Sequence, residues 1–154
     1  MYFWKIEVLK EDIKNGLFTE KDRFIYGLIY IVLCAAGMEA MMRMPIESPN
    51  IWDTIGSLGN IAIPLIGTIF VYRSNGGKTG KDFLGRYFSI GFVVSIRFLV
   101  LLIPMFAALV AYYIYAFPDE EIIVSTPADK LPFIIWYALL FWRINKHVSD
   151  VKIS

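Results

Sequence analysis

Apolar residues gather into four long runs along the chain, separated by short polar stretches. These runs cover residues 24–42, 51–72, 87–117 and 127–145. A helix crosses a hydrocarbon core of about 30 Å with about 20 apolar residues, and the first three runs meet this requirement. The fourth has a shorter apolar core, but Thr126, Pro127 and Asp129 supply a helix N-cap, a proline at the first helical position and an acid in the first turn. The pattern therefore predicts an all-α integral membrane protein with four transmembrane helices.

The first eighteen residues follow a different pattern. Apolar residues recur there at helical spacing, with charged residues between them and Gly16 as a stop signal: Tyr2, Ile6, Leu9, Ile13 and Leu17. We expect residues 1–18 to form an amphipathic helix on the cytoplasmic membrane surface, ahead of a transmembrane domain at 19–154. Equal weight goes to the alternative that this helix packs on cytoplasmic loops of the same protein.

Composition and charge agree with a lipid environment. The chain is 57% hydrophobic and 16% aromatic, with a net charge of only +1, so no overall field indicates nucleic acid as a partner. Of the fifteen Lys and Arg residues, twelve flank the runs on the side of the two termini and two lie on the other side. By the positive-inside rule we expect both termini in the cytoplasm, in a bacterial inner membrane.

Arg97 is the most informative residue, because it lies within the longest apolar run. Ten residues separate it from the polar end of the run near Tyr87, which is about 15 Å of helix and places it near the middle of the bilayer. A charge at that depth needs a partner. The same arithmetic favours Glu39 and Asn60 as partners in a polar intramembrane core, and it pairs Arg43 with Asp53 near the outer surface.

Small and polar residues share one face of the second span, and we expect this face to pack inside the bundle: Asp53, Gly56, Ser57, Asn60, Pro64 and Gly67. The expected partner is a face of the third span that carries Arg86, Arg97, Pro104, Ala108 and Ala111. Two interpretations of the buried charges stay open. They form a neutral structural core, which we favour, or they line a route for protons or ions.

The polar stretch between the second and third spans is basic and rich in glycine. Its sequence from Asn75 to Lys81 lacks the glycine spacing of a phosphate-binding loop, and we interpret it as a flexible turn. We expect its cations to contact anionic lipid headgroups or a cytoplasmic partner: Arg73, Lys78, Lys81 and Arg86.

Residues that carry catalysis or bind metals are few. Cys34 is the one cysteine and His147 the one histidine, and we expect the histidine to be solvated in the cytoplasmic tail. Neither forms a recognisable metal site or catalytic triad within this chain. We therefore expect no cofactor, no metal site and no enzymatic activity.

These features favour a non-enzymatic accessory or interaction subunit of the membrane, bound to a protein partner or to further copies of itself. The alternative is a small oligomeric channel or transporter that uses Arg97 and Glu39. A further alternative is an immunity-type protein that protects against a membrane-active toxin, for which the size and topology are suitable.

Overall fold

A computed structural model describes residues 2–42, 50–116 and 125–151, with the backbone alone at residues 20, 35, 36 and 38–42. These parts of the chain are helical and contain no strand. The five helices are α1 (Ile6–Lys14), α2 (Glu20–Met42), α3 (Ile51–Ser74), α4 (Phe83–Ala116) and α5 (Pro127–Asp150), with a short 3-10 turn at Gly77–Thr79. Each of the four apolar runs is confirmed as a helix.

Local capping residues explain where the helices begin. The side chain of Thr126 and that of Asp129 form a capping box at the start of α5, as the sequence predicts. Asn50 and Asp53 form a second capping box at the start of α3. Thr19 and Asp22 exchange hydrogen bonds in the same way, so α2 begins at Glu20, a turn earlier than the apolar run.

The helices α3 and α5 run parallel to each other, since residues later in α3 contact residues later in α5. A β-carbon at Gly59 would lie 3.2 Å from Ile134, and one at Gly67 would lie 2.4 Å from the ring of Phe141. The expected packing of this small-residue face against α4 is therefore wrong. Long side chains of α5 occupy the space that the glycines of α3 leave open.

The helix α4 runs antiparallel to α5. Near its start, a β-carbon at Gly91 would lie 3.9 Å from Ile144, and further along, the rings of Phe98 and Trp136 lie 5.8 Å apart. It continues as one helix through Pro104.

One end of the bundle holds most of the buried side chains, and we call it the packed end. It combines α1 with the starts of α2 and α4 and the ends of α3 and α5. Its buried apolar residues are Ile6, Leu9, Ile13, Phe18, Tyr26, Val71, Ile90, Phe92, Val93, Val94, Leu140, Phe141, Ile144, Val148 and Val151. On α4, burial extends from Gly85 to Val94. The first part of the third apolar run is therefore covered by protein.

The N-terminal segment is fastened to this end by polar contacts as well. The hydroxyl of Tyr26 donates to the carbonyl of Tyr2 at 3.0 Å and accepts from its amide at 2.5 Å. Lys10 forms an ion pair with Asp150 of α5 at 2.9 Å. The apolar stripe of α1 thus packs on helices of its own chain, whereas the second alternative expected loops, and Leu17 stays 65% exposed.

Within the described ranges, two helices are long enough and apolar enough to cross a membrane, namely α3 and α4. Only 6% of the most apolar segment of α3 is buried, and 11% of that of α4. Their apolar side chains therefore face outward for most of their length.

Candidate functional site: polar residues of the bundle

Arg97 lies one turn beyond Val94, where the buried part of α4 ends. Its Nε donates a hydrogen bond to the backbone carbonyl of Trp4 at 3.1 Å, and its Nη2 donates to the same oxygen. The guanidinium carbon also lies 5.5 Å from the centre of the Trp4 ring, a cation–π distance. The arginine thus binds the N-terminal segment through a carbonyl dipole and an aromatic face.

The other residues of the predicted core are not gathered around Arg97 in the described parts. Asn60 is exposed on α3, and no hydrogen bond joins it to Arg97 among the bonds of the described residues. Glu39 belongs to α2, but its side chain lies outside what the structure describes. Its pairing with Arg97 therefore stays a prediction.

Polar residues do converge at the other end of the bundle, which we call the distal end. Asp53, 8% exposed, accepts from Lys130 of α5 at 2.9 Å and from the hydroxyl of Ser125 at 2.7 Å. The backbone amide of Asn50 donates to its second oxygen at 2.9 Å. Arg43, the predicted partner of Asp53, lies outside the described residues. The carboxylate is nevertheless neutralised by a cation from a different helix.

Sequence reasoning missed Lys130 as a partner because 77 positions separate it from Asp53. One local signal was present. Gly56 follows Asp53 by one helical turn, and a β-carbon there would lie 3.2 Å from Cδ of Lys130. The glycine thus leaves room for the lysine stem to reach the carboxylate, which explains its position on this face.

A second cluster at the distal end joins α4 to α5. The hydroxyl of Tyr113 donates to Asp129, the same carboxylate that caps α5. The ends of three helices are therefore linked by hydrogen bonds and one ion pair at this level.

The basic loop divides into an exposed part and a buried part. Arg73, Lys78 and Lys81 are exposed, whereas Arg86 is only 3% exposed and donates to the side chain of Asn75 at 3.0 Å. Arg86 thus supports the loop from inside, unlike the three cations on its surface.

Hydrogen bonds and one ion pair hold the same loop, which we interpreted from its glycines as a flexible turn. The side-chain amide of Asn75 donates to the carbonyl of Lys81 at 3.2 Å, which closes the turn. Gly76 adopts a φ of +110°, a conformation that favours glycine. Asp82, at the end of the loop, forms an ion pair with Arg23 of α2 at 2.9 Å. The glycines therefore shape a turn that is closed by hydrogen bonds.

His147 is buried at the packed end instead of solvated, with 6% of its surface exposed. Burial lowers the pKa of this imidazole below its usual 6.5, and the positive charges of Lys10 and Arg143 lower it further. The Asp150 carboxylate, 3.8 Å away, and Glu7 oppose this shift. The ring is thus held neutral near pH 7.

The described residues contain no group of three or more His, Cys, Asp or Glu side chains that could hold a metal ion. Cys34 is exposed on α2. The polar contacts described above join helices to one another, cap them, close the basic loop or hold the N-terminal segment. Comparison of the chain with protein-family models, with curated proteins and with solved structures gives no match.

Proposed function

We propose that this protein is a non-enzymatic integral membrane protein that acts as an accessory or interaction subunit. The outward-facing apolar surface of α3 and α4 carries the proposal. Ile61 of α3 is 68% exposed and Ile103 of α4 is 69% exposed. A long apolar helix in a soluble protein buries such residues, and an extended exposed apolar surface is typical of contact with lipid or with partner proteins.

Four crossings are the arrangement that we propose, with both termini in the cytoplasm. The helix α5 runs alongside α3 and α4 and exposes Leu131, Ile135 and Leu139, and α2 likewise exposes Phe24 and Ile31. The distribution of twelve cations against two supports an even number of crossings, with the packed end on the cytoplasmic side.

This arrangement moves Arg97 from the middle of the bilayer to its cytoplasmic boundary. Sixteen residues separate Arg97 from Tyr113 at the distal end, which is about 24 Å of helix. On its other side, α4 continues into the packed end. Trp4, 53% exposed beside Arg97, is the kind of residue that lies at a membrane interface. An arginine at this depth reaches the headgroups at little cost.

The interaction role is supported by the ordered basic loop. Arg73, Lys78 and Lys81 project from a turn whose backbone is held by Asn75. A fixed, exposed and positively charged surface binds an acidic partner without a large loss of conformational entropy. By contrast, no contact among the described residues favours conduction or toxin recognition over this role.

The test uses the full-length tagged protein in its native membrane. Alkaline carbonate should leave it in the membrane fraction. After mild cross-linking and purification, a charge-reversed loop variant, Lys78→Glu with Lys81→Glu, should lose one defined partner that the unaltered protein retains. The matched control is Lys21→Glu with Lys146→Glu, since both residues are exposed on other segments.

Release of the protein by carbonate would overturn the membrane assignment. An identical set of partners in the loop variant, the control variant and the unaltered protein would overturn the interaction role of the loop. A differently tagged second copy in the purified material identifies the partner as the protein itself.

A further inference from the structure

A groove opens between α4 and α5 directly beside Arg97. Its volume is about 340 Å³. Its apolar wall includes Leu101, Leu139 and Trp142, whose side chains are about half exposed. The groove is therefore open to the side and is continuous with the apolar surface of the bundle.

Positive charge borders this apolar groove. Arg97 and Arg143 both line it, and neither belongs to an ion pair with a carboxylate among the described residues. The guanidinium of Arg143 lies 6.0 Å from the centre of the Trp142 ring. Two cations without a carboxylate partner at one groove favour an anion between them.

His147 lines the groove as well. Its Nδ1 is buried without a hydrogen bond in the described structure and lies 3.8 Å from the carboxylate of Asp150, which is not among the residues that line the groove. The cations and the imidazole thus border a groove whose wall is otherwise apolar.

We propose that this groove binds one anionic phospholipid, with the phosphate between Arg97 and Arg143 and an acyl chain along Leu101 and Leu139. The proposal rests on the membrane placement given above, which puts this groove at the level of the cytoplasmic headgroups. Arg97 also holds Trp4, so the bound lipid connects the N-terminal segment with α5. The site is separate from the basic loop at residues 73–86.

Native mass spectrometry of the full-length protein in mild detergent tests this site. Phosphatidylglycerol and phosphatidylcholine are added separately at equal concentration. The unaltered protein should retain one phosphatidylglycerol more strongly than one phosphatidylcholine. Arg143→Gln should weaken phosphatidylglycerol binding about fivefold, since each basic residue near anionic lipid contributes roughly that factor. Adding Arg97→Gln should abolish the preference for the anionic lipid.

Two variants separate charge from folding. Arg143→Lys keeps the charge and should retain most of the preference. Lys14→Gln with Lys21→Gln removes two exposed cations that do not line the groove and should leave lipid binding unchanged. Far-UV circular dichroism of each variant shows whether the helices persist, and the binding comparison is made on variants that retain them.

Equal retention of the two lipids by the unaltered protein would overturn the proposal, and so would a preference that survives in the variant lacking both arginines. Full displacement of phosphatidylglycerol by inorganic phosphate would also overturn it, because the site would then recognise a free anion. Each of these results leaves the protein in the carbonate-resistant membrane fraction, so a failure of the lipid site is distinguishable from a failure of the membrane assignment.

Discussion

Replacing Gly67 by alanine should disturb the packing of α3 on α5. A β-carbon at this position would lie 2.4 Å from Cδ1 of Phe141 and 2.9 Å from its Cβ, whereas carbon atoms in contact are separated by about 3.5–4.0 Å. Phe141 is only 6% exposed, and its ring packs on that of Tyr137 at 5.5 Å. The phenyl ring therefore cannot give way without moving its neighbours or the helix.

Two opposing effects determine how much Gly67→Ala changes the free energy of unfolding. Alanine favours a helix interior over glycine by about 1 kcal/mol, and overpacking of a core costs about 1–3 kcal/mol. Gly37 is the matched control, because no atom of another described side chain lies within 4 Å of a β-carbon there. Gly37→Ala should therefore stabilise the protein, and Gly67→Ala should be less stable than Gly37→Ala by about 1–3 kcal/mol.

Unfolding in detergent micelles, titrated with sodium dodecyl sulfate and followed by far-UV circular dichroism, measures these differences. The substitution Phe141→Ala supplies a second control, since it removes the ring that the new methyl group would meet. In that background, Gly67→Ala should behave like Gly37→Ala. If Gly67→Ala stabilises the otherwise unaltered protein as much as Gly37→Ala does, the close contact between α3 and α5 is wrong.

Three further predictions use the same assay. Leu9→Ala should destabilise the protein by about 2–5 kcal/mol because Leu9 is fully buried. Leu17→Ala, at an exposed position, should cost under about 0.5 kcal/mol, and equal losses in the two variants would contradict the packing of α1. The free energy of unfolding should fall as the pH drops below 6.5, because the histidine of the unfolded state is then protonated while buried His147 has a lowered pKa. The variant His147→Phe should depend less on pH, and the same pH profile in the variant and the unaltered protein would contradict the burial of His147. The double variant Asp53→Asn with Lys130→Met should lose about 0.5–3 kcal/mol less stability than the sum of the two single losses, and strictly additive losses would contradict the ion pair.

Features set by neighbouring residues were predictable from the sequence. The start of α5 follows from Thr126, Pro127 and Asp129, which act within a single turn, and the structure confirms it. The stripe of Ile6 and Leu9 on α1 likewise indicates that one face is buried. The stripe does not show whether this face packs on lipid or on protein, because both exclude water from an apolar face equally well.

Features that depend on how distant helices meet were not predictable in the same way. The depth predicted for Arg97 assumed that lipid surrounds α4 from Tyr87 onward, whereas most residues of α4 from Gly85 to Val94 are buried by other parts of the protein. The contact of Lys130 with Asp53 requires that α3 and α5 run parallel and in register. The pattern within one helix does not show which helix lies beside it.

We propose that Arg97 lies at the edge of the lipid-facing part of α4, about 12 Å from the midpoint between Arg97 and Tyr113. Nitroxide labels at single cysteines test it in lipid nanodiscs, with Cys34→Ser as the background. We expect a label at Phe106 to show the highest ratio of oxygen to nickel-chelate accessibility, and a label at Leu99 to lie about 10 Å closer to the headgroups. A label at Leu99 that is as deep as the one at Phe106, or two labels equally accessible to the nickel chelate, would contradict the account.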